Sequence, residues 1–216
     1  MSDDPARRTA ARIGIAAAIV VGAALLVPLV ALGSGSFRIF YMPAESMAPT
    51  LLVNDRLLAS MGRPAELRRG DIVLLDVGGS LYVKRVAALP GDRIEMIDGI
   101  VFINGRAVAQ RLVRRERVAG PLGEVDARRL AEQFPGESAP HEIYDDSDSI
   151  FDDMARQRVA EGHVFVLGDN RDHSADSRVP REEMGVEQLP VGDIRGRAVV
   201  YLWGPSGRFG ERLDRR

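Results

Sequence analysis

By its apolar and polar positions the chain falls into three stretches. From Ile13 to Leu32 twenty residues pass without a charge, apolar on every face of a helix. At about 1.5 Å rise per residue such a helix is roughly 30 Å long, the thickness of a bilayer core. Gly22 and Pro28 lie inside it and are tolerated in spanning helices. Arg7, Arg8 and Arg12 precede it, and basic residues stay on the cytoplasmic side. The pattern predicts a single-pass anchor at 13–32, with 1–12 as a cytoplasmic tail and the remainder facing outward. A cleavable signal peptide ending near Ala31-Leu32-Gly33 is one alternative, although its apolar region would be shorter, about 7 to 15 residues. A buried core helix is the other, and arginines at one end only speak against it.

Beyond Leu32 the period shortens. Gly33-Ser34-Gly35-Ser36 reads as a flexible link, followed by short apolar runs bounded by Gly and Pro, the pattern of strands. Strands are predicted at Phe37 to Met42, Arg56 to Ser60, Asp71 to Asp76, Leu81 to Leu89, Arg93 to Ile97, Ile100 to Ile103, Val164 to Leu167 and Arg197 to Trp203. Asp98-Gly99 and Asn104-Gly105 supply the positive φ angles of tight turns and predict two successive hairpins. From Gln110 to Gly162 charge replaces periodicity, and this polar excursion carries one predicted helix, Ala127 to Phe134, capped by Asp126. The expected fold class is a mainly β, partly barrel-like domain over 33–216, with a polar insertion at about 110–162, behind one N-terminal transmembrane helix.

Composition narrows the chemistry. With 216 residues, 45% of them hydrophobic, one domain with a substantial core is expected. A net charge of -2 and a pI near 6.0 give no electrostatic footprint for nucleic acid. Without cysteine there is no disulfide, thiolate nucleophile or Cys-based zinc site. The acidic run Asp145-Asp146-Ser147-Asp148 lacks the ligand spacing of a cation loop and reads as a solvated segment, so no metal is expected.

Among candidate nucleophiles, Ser46 stands in Glu45-Ser46-Met47-Ala48-Pro49-Thr50-Leu51, close behind the anchor. A serine there can simply bend the chain, and a nucleophile needs a base for its proton. His173, in Gly168-Asp169-Asn170-Arg171-Asp172-His173-Ser174, is one candidate, although it reads as a surface loop histidine; a metal site with Asp169 or Asp172 fits no ligand pattern. Lys84 is the other. In a period-two strand it shares a face with Tyr82 and Val86, while Arg85 shares the opposite face with Val83, so one of the two cations points toward protein. Burial disfavours the ammonium and makes a lysine a general base, within about 2.6 to 3.2 Å of the hydroxyl. The strand pattern alone favours an edge lysine reaching into water.

Placed in order, these segments resemble the bacterial type I signal peptidases, membrane-bound Ser/Lys proteases. The resemblance rests on the anchor, Ser46-Met47-Ala48-Pro49-Thr50-Leu51, Gly70-Asp71-Ile72-Val73, Tyr82 to Asp92, and Gly168 to Arg178. It implies Ser46 as nucleophile and Lys84 as general base. Ser174 would orient the lysine amine, and Asp176 with Arg178 would form a supporting ion pair. Tyr82 would lie along the bound substrate, Met47 and Pro49 would shape the nucleophile's loop, and the Ser46 backbone N–H would serve the oxyanion. Where the family commonly has a hydroxyl residue two positions before the nucleophile, this chain has Ala44; Ala88 and His173 replace the family's usual glycine and asparagine.

The implied partners are signal peptides of exported preproteins, cut after small residues at -1 and -3, and the lipid bilayer. The implied location is the inner membrane with the catalytic domain on the periplasmic side; no cofactor is required, and the oligomeric state is not indicated. A specialised Ser/Lys maturation protease or self-cleaving regulator, and a tethered domain that binds peptides without cutting them, are the competing functions.

Overall fold

The computed structural model describes residues 35–120, 123–146 and 149–214; the expected tail and anchor lie outside them. Among the described residues no helix is long and apolar enough to cross a membrane. Residues Ile39–Arg216 form one compact unit, and of the other, Met1–Arg38, only 35–38 are described.

The strands are β1 (Phe37–Tyr41), β2 (Arg56–Met61), β3 (Ile72–Val77), β4 (Ser80–Ala88), β5 (Arg93–Ile97), β6 (Ile100–Ile103) and β7 (Arg106–Ala107). They continue as β8 (Ala109–Gly120), β9 (Gly123–Gln133), β10 (His141–Asp145), β11 (Met154–Arg158), β12 (His163–Leu167), β13 (Leu189–Pro190) and β14 (Ile194–Trp203). A seven-stranded sheet runs in the order β1-β2-β14-β3-β4-β12-β13, a second β10-β9-β8, and a third β11-β5-β6-β7. The domain is mainly β as expected, but the strands form these open sheets, and among the described residues none closes into a barrel.

β4 lies inside the large sheet, with Val73 of β3 opposite Lys84 and Val166 of β12 opposite Val86. Apolar clusters cover both faces. Leu74 and Val83 pack with Met42, Met47, Leu51 and Leu57 on one, and Val73, Leu75, Val86, Val164 and Val166 on the other. A strand covered on both sides carries a nearly continuous apolar run, which is why Val83 through Ala88 are all buried. Both Lys84 and Arg85 therefore point into protein.

The turns follow their residues. Asp98-Gly99 joins Ile97 to its partner Ile100, and Asn104-Gly105 joins Ile103 to Arg106, with positive φ at all four turn positions. Gly78-Gly79, also at positive φ, closes the β3–β4 hairpin that presents Lys84.

The excursion differs from expectation. Ala127 to Phe134 is not a helix and Asp126 caps nothing: residues 123–133 are strand β9, paired with β8 along its length and with β10 on its other edge. Its Ala, Arg, Leu, Glu and Gln residues favour helix intrinsically, but tertiary pairing overrides that weak preference. Cross-strand pairing decides: Ala127 and Leu130 are buried, and Arg128 and Arg129 reach Asp145 and Glu142 on β10.

A buried charge cluster fastens this second sheet to the segment after β12. Glu132, with none of its surface exposed, is gripped by both terminal nitrogens of Arg171, receives Gln110 Nε2 at 2.8 Å and stands 3.2 Å from His141 Nε2. Burial pushes the Glu132 carboxyl up, but the Arg171 charge and the His141 contact outweigh it and hold the group far below the ordinary value of 4.5. With the folded-state value depressed, the stabilisation is complete above about pH 4.5 and is lost as pH falls below it. Removing one partner of such a pair leaves a charge buried alone. Glu132→Ala is expected to cost about 3–5 kcal/mol in urea unfolding at pH 7, with the loss shrinking as the measurement is repeated at lower pH.

Candidate active site

Ser46 sits in the loop that links β1 to β2. The loop is cinched at its base, where Met42 N–H donates to Asp55 O at 2.9 Å and Asn54 N–H returns to Met42 O at 2.8 Å. Asp55, fully buried, accepts from Leu52 N–H at 2.8 Å and from Tyr201 Oη at 3.1 Å. Met47 and Leu51 drive their side chains into the core and anchor the turn, whose Ala48–Pro49 peptide is cis. Ser46 is left half-buried between them and solvent. Asp55 was not singled out from the sequence; its signal is the turn-forming pair Asn54-Asp55 just before a strand.

Lys84 Nζ lies 2.8 Å from Ser46 Oγ, inside the range a proton transfer requires, and the lysine is 2% exposed. Burial pushes the amine down from 10.5 to about 8; the charges of Asp176 and Asp169 oppose this and that of Arg178 assists it. The ring of half-buried Tyr82 has its centroid 5.9 Å from the same nitrogen.

The segment 168–178 closes on this pair from the far side. Asn170 N–H donates to Ser46 O at 3.2 Å, and its side-chain amide donates to Glu45 O at 3.3 Å. Gly168 allows the approach: a Cβ there would collide with the Ser174 side chain and stand 2.5 Å from Ser46 O. Ser174 is buried at this contact, and its hydroxyl has no hydrogen-bond partner among the described residues. The structure thus brings Ser174 to the site without the bond to the lysine amine that the resemblance implies.

Asp176 is wholly buried and bound to Arg178 Nε at 2.9 Å and Nη2 at 3.0 Å, while Gly168 N–H donates to it at 2.9 Å. Burial raises its carboxyl, but Arg178, the Gly168 N–H and Lys84 bring it below the ordinary carboxylate range. A second pair had not been assigned from sequence. Arg85 binds Asp169 through Nε at 2.8 Å and Nη2 at 2.6 Å and donates to Gly70 O at 2.8 Å. The usable signal was Arg85 itself, a cation next to Lys84 in an apolar strand, which demands a buried partner.

His173 Nε2 pairs with Asp146 at 2.5 Å, and Asp145 is held by Arg128 at 2.8 Å. Asp169 faces Arg85 rather than a cation loop. Ala44 is exposed and brings no hydroxyl, whereas the Ser46 N–H has no hydrogen-bond partner among the described residues. A half-buried hydroxyl against a desolvated amine, with a free backbone N–H on the same residue, is an arrangement suited to acyl transfer.

The family described as signal peptidase, peptidase S26 matches residues 11–203, and the chain belongs to it. Among its relatives, Signal peptidase I S of Bacillus subtilis is 32% identical over 144 residues, 66% of each chain. Signal peptidase I of Pseudomonas aeruginosa is 32% identical over 199 residues, 79% of this chain and 66% of that one. The chain thus spans slightly less than two thirds of the length of these relatives. A crystal structure of a signal peptidase I from Enterococcus faecalis is a distant match, with a TM-score of 0.36 and 22% identity over 64% of this chain and 98% of that one.

Gly168→Ala is expected to push the 168–178 segment off Ser46. Displacement of about 1 Å at a reacting pair can cost about 10²-fold, so the rate at which a serine-directed acylating reagent labels Ser46 should fall by that order. Labelling rates of the variant and the parent chain, read by intact mass, check this.

Proposed function

We propose that the chain is a membrane-anchored serine endopeptidase that removes signal peptides from exported preproteins. The observation that carries this reading is the 2.8 Å contact between a buried, deprotonatable Lys84 amine and Ser46 Oγ. The family membership and the relatives named Signal peptidase I support the substrate class.

In the proposed reaction the neutral Lys84 amine accepts the Ser46 hydroxyl proton as Oγ attacks the carbonyl carbon after a small residue. The carbonyl π-electrons move onto oxygen, where the Ser46 N–H donates to the developing charge. The Lys84 ammonium returns the proton to the leaving nitrogen as the C–N bond breaks, which leaves an ester on Ser46. A water that gives its proton to the same amine then attacks the ester carbonyl, and the ammonium returns that proton to Ser46 Oγ as the ester C–O bond breaks, which releases the carboxylic acid and restores the neutral amine. The substrate runs extended beside Tyr82, with shallow pockets near Met47 favouring small residues at -1 and -3. Asp176 with Arg178 and Asp169 with Arg85 hold the surroundings of the amine, Ser174 packs against Gly168 behind it, and the segment 13–32 anchors the domain at the outer face of the inner membrane.

The required neutral amine sets the pH dependence. kcat/KM for a preprotein should rise with pH along a single limb centred near 8, because below it the amine is an ammonium and cannot accept the proton. Ser46→Ala and Lys84→Ala should abolish cleavage, and Lys84→Arg should as well, since a guanidinium stays charged. Retained cleavage in Ser46→Ala or Lys84→Ala, or a profile flat from pH 6 to 9, would sink the mechanism.

A further inference from the structure

The Ser46 turn has two flanks. On one stands Tyr82, its ring centroid 5.9 Å from Lys84 Nζ, where the proposed acyl side of the substrate lies. On the other a cavity of about 280 Å³ opens between the nucleophile loop and the excursion, and the proposed chemistry does not use it. Ala48 and Leu52 form its floor, Val118 and Ala119 of β8 and Tyr144 of β10 form its wall, and Asn170 stands at its edge.

Three features mark it as built. Ala48, Ala127 and Tyr144 are a small buried cluster, with Leu52 and Val118 packed against it. The Tyr144 hydroxyl donates to Glu116 at 3.0 Å, so the ring is held with its apolar face available. β8 is charged from Arg114 to Arg117 and turns apolar at Val118 and Ala119, where it meets the Ser46 loop. The cavity is also continuous with the site, since Asn170 at its edge is the residue hydrogen-bonded to Ser46 O and Glu45 O.

We propose that this cavity is a subsite for an apolar side chain on the leaving side of the scissile bond, within the first few residues of the released polypeptide. The inference rests on the endopeptidase reading. An extended peptide advances about 3.3 Å per residue, so a chain that reaches Ser46 along the Tyr82 flank departs over the opposite flank within one or two residues. The first apolar surface there is the one built by the excursion. Residues 110–145 thereby gain a role: they form the far wall of the substrate groove, and the Glu132–Arg171 pair fixes that wall to the segment that touches Ser46.

The test uses the full chain in proteoliposomes and a preprotein series with alanine fixed at -1 and -3, in which each of positions +1 to +4 is in turn Leu, Ala or Asp. At one position kcat/KM should favour Leu over Asp by about tenfold, the scale on which apolar pockets discriminate. Val118→Trp, which fills the cavity from its wall, and Val118→Asp, which charges that wall, should each bring that ratio close to one. A flat profile at all four positions in the parent chain, or a ratio unchanged in both variants, overturns the subsite and leaves the endopeptidase reading standing. A flat profile together with weaker vesicle binding of Val118→Trp also overturns it, by assigning the cavity to lipid. No cleavage of any preprotein by the parent chain overturns both.

Discussion

The structure around Ser46 depends on keeping water away from one amine. Lys84 at 2% exposure is brought from 10.5 to about 8, which corresponds to roughly 3 kcal/mol against its charged form. No residue of β4 could achieve this at the edge of a sheet. β4 is an interior strand, β3 and β12 cover its sides, and apolar clusters cover both faces. Met47 and Leu51 of the Ser46 turn enter the core that receives Val83, on the face of β4 opposite Lys84, while Val73, Tyr82 and Val86 pack on the face that Lys84 shares. β4 thus joins two layers, one that seats the Ser46 turn and one that helps to bury the amine, and the 2.8 Å contact spans them.

Desolvation unopposed would cost too much, and two buried ion pairs balance it. Asp176 and Asp169 each favour the ammonium, while Arg178 opposes it. Each carboxylate is committed to its own arginine, so neither is free to form a tight pair with Lys84 that would return the amine to permanent charge. The same groups set positions. Asp176 receives the N–H of Gly168, the glycine pressed against Ser46 O, and the Asp169 carbonyl accepts from Tyr144 N–H at 2.8 Å. Arg171 extends the chain of contacts to Glu132. Electrostatic balance and geometric closure therefore rest on the same side chains, which accounts for a charged segment, 168–178, being folded inward.

Much of this was legible in the sequence, for particular reasons. Asp98-Gly99 and Asn104-Gly105 named their turns because positive φ at two successive positions is a demand few residues meet. The Tyr82–Lys84–Val86 alternation placed Lys84 on one face of a strand, although the pattern could not tell an edge from an interior position, since that depends on β12, eighty residues away. The excursion resisted because both faces of β8 and much of β9 are polar: its partners are other charged side chains across the hairpin, and period-two apolar alternation is faint. Gly168 carried no local signal; its need for a missing Cβ arises only where the segment meets Ser46 O.

In the proposed reaction Ala44 would leave the developing oxyanion one hydroxyl poorer than the resemblance implies, a donor worth about 2.7–4 kcal/mol where a site depends on it. Part of the compensation lies in the order of events in the proposed reaction. Proton transfer from Ser46 creates the Lys84 ammonium at the moment the oxyanion forms, so the site holds a charge pair it did not hold before. At an effective dielectric of about 20 and a separation of about 4 Å, such a pair attracts by about 4 kcal/mol. Because Lys84 is neutral in the reactive ground state, that attraction belongs to the transition state and lowers the barrier without tightening substrate binding. In that reaction the desolvation that would make Lys84 a base would also make its acquired charge effective, so a buried amine would partly substitute for a second hydrogen-bond donor, whereas an exposed one, screened by water, could not.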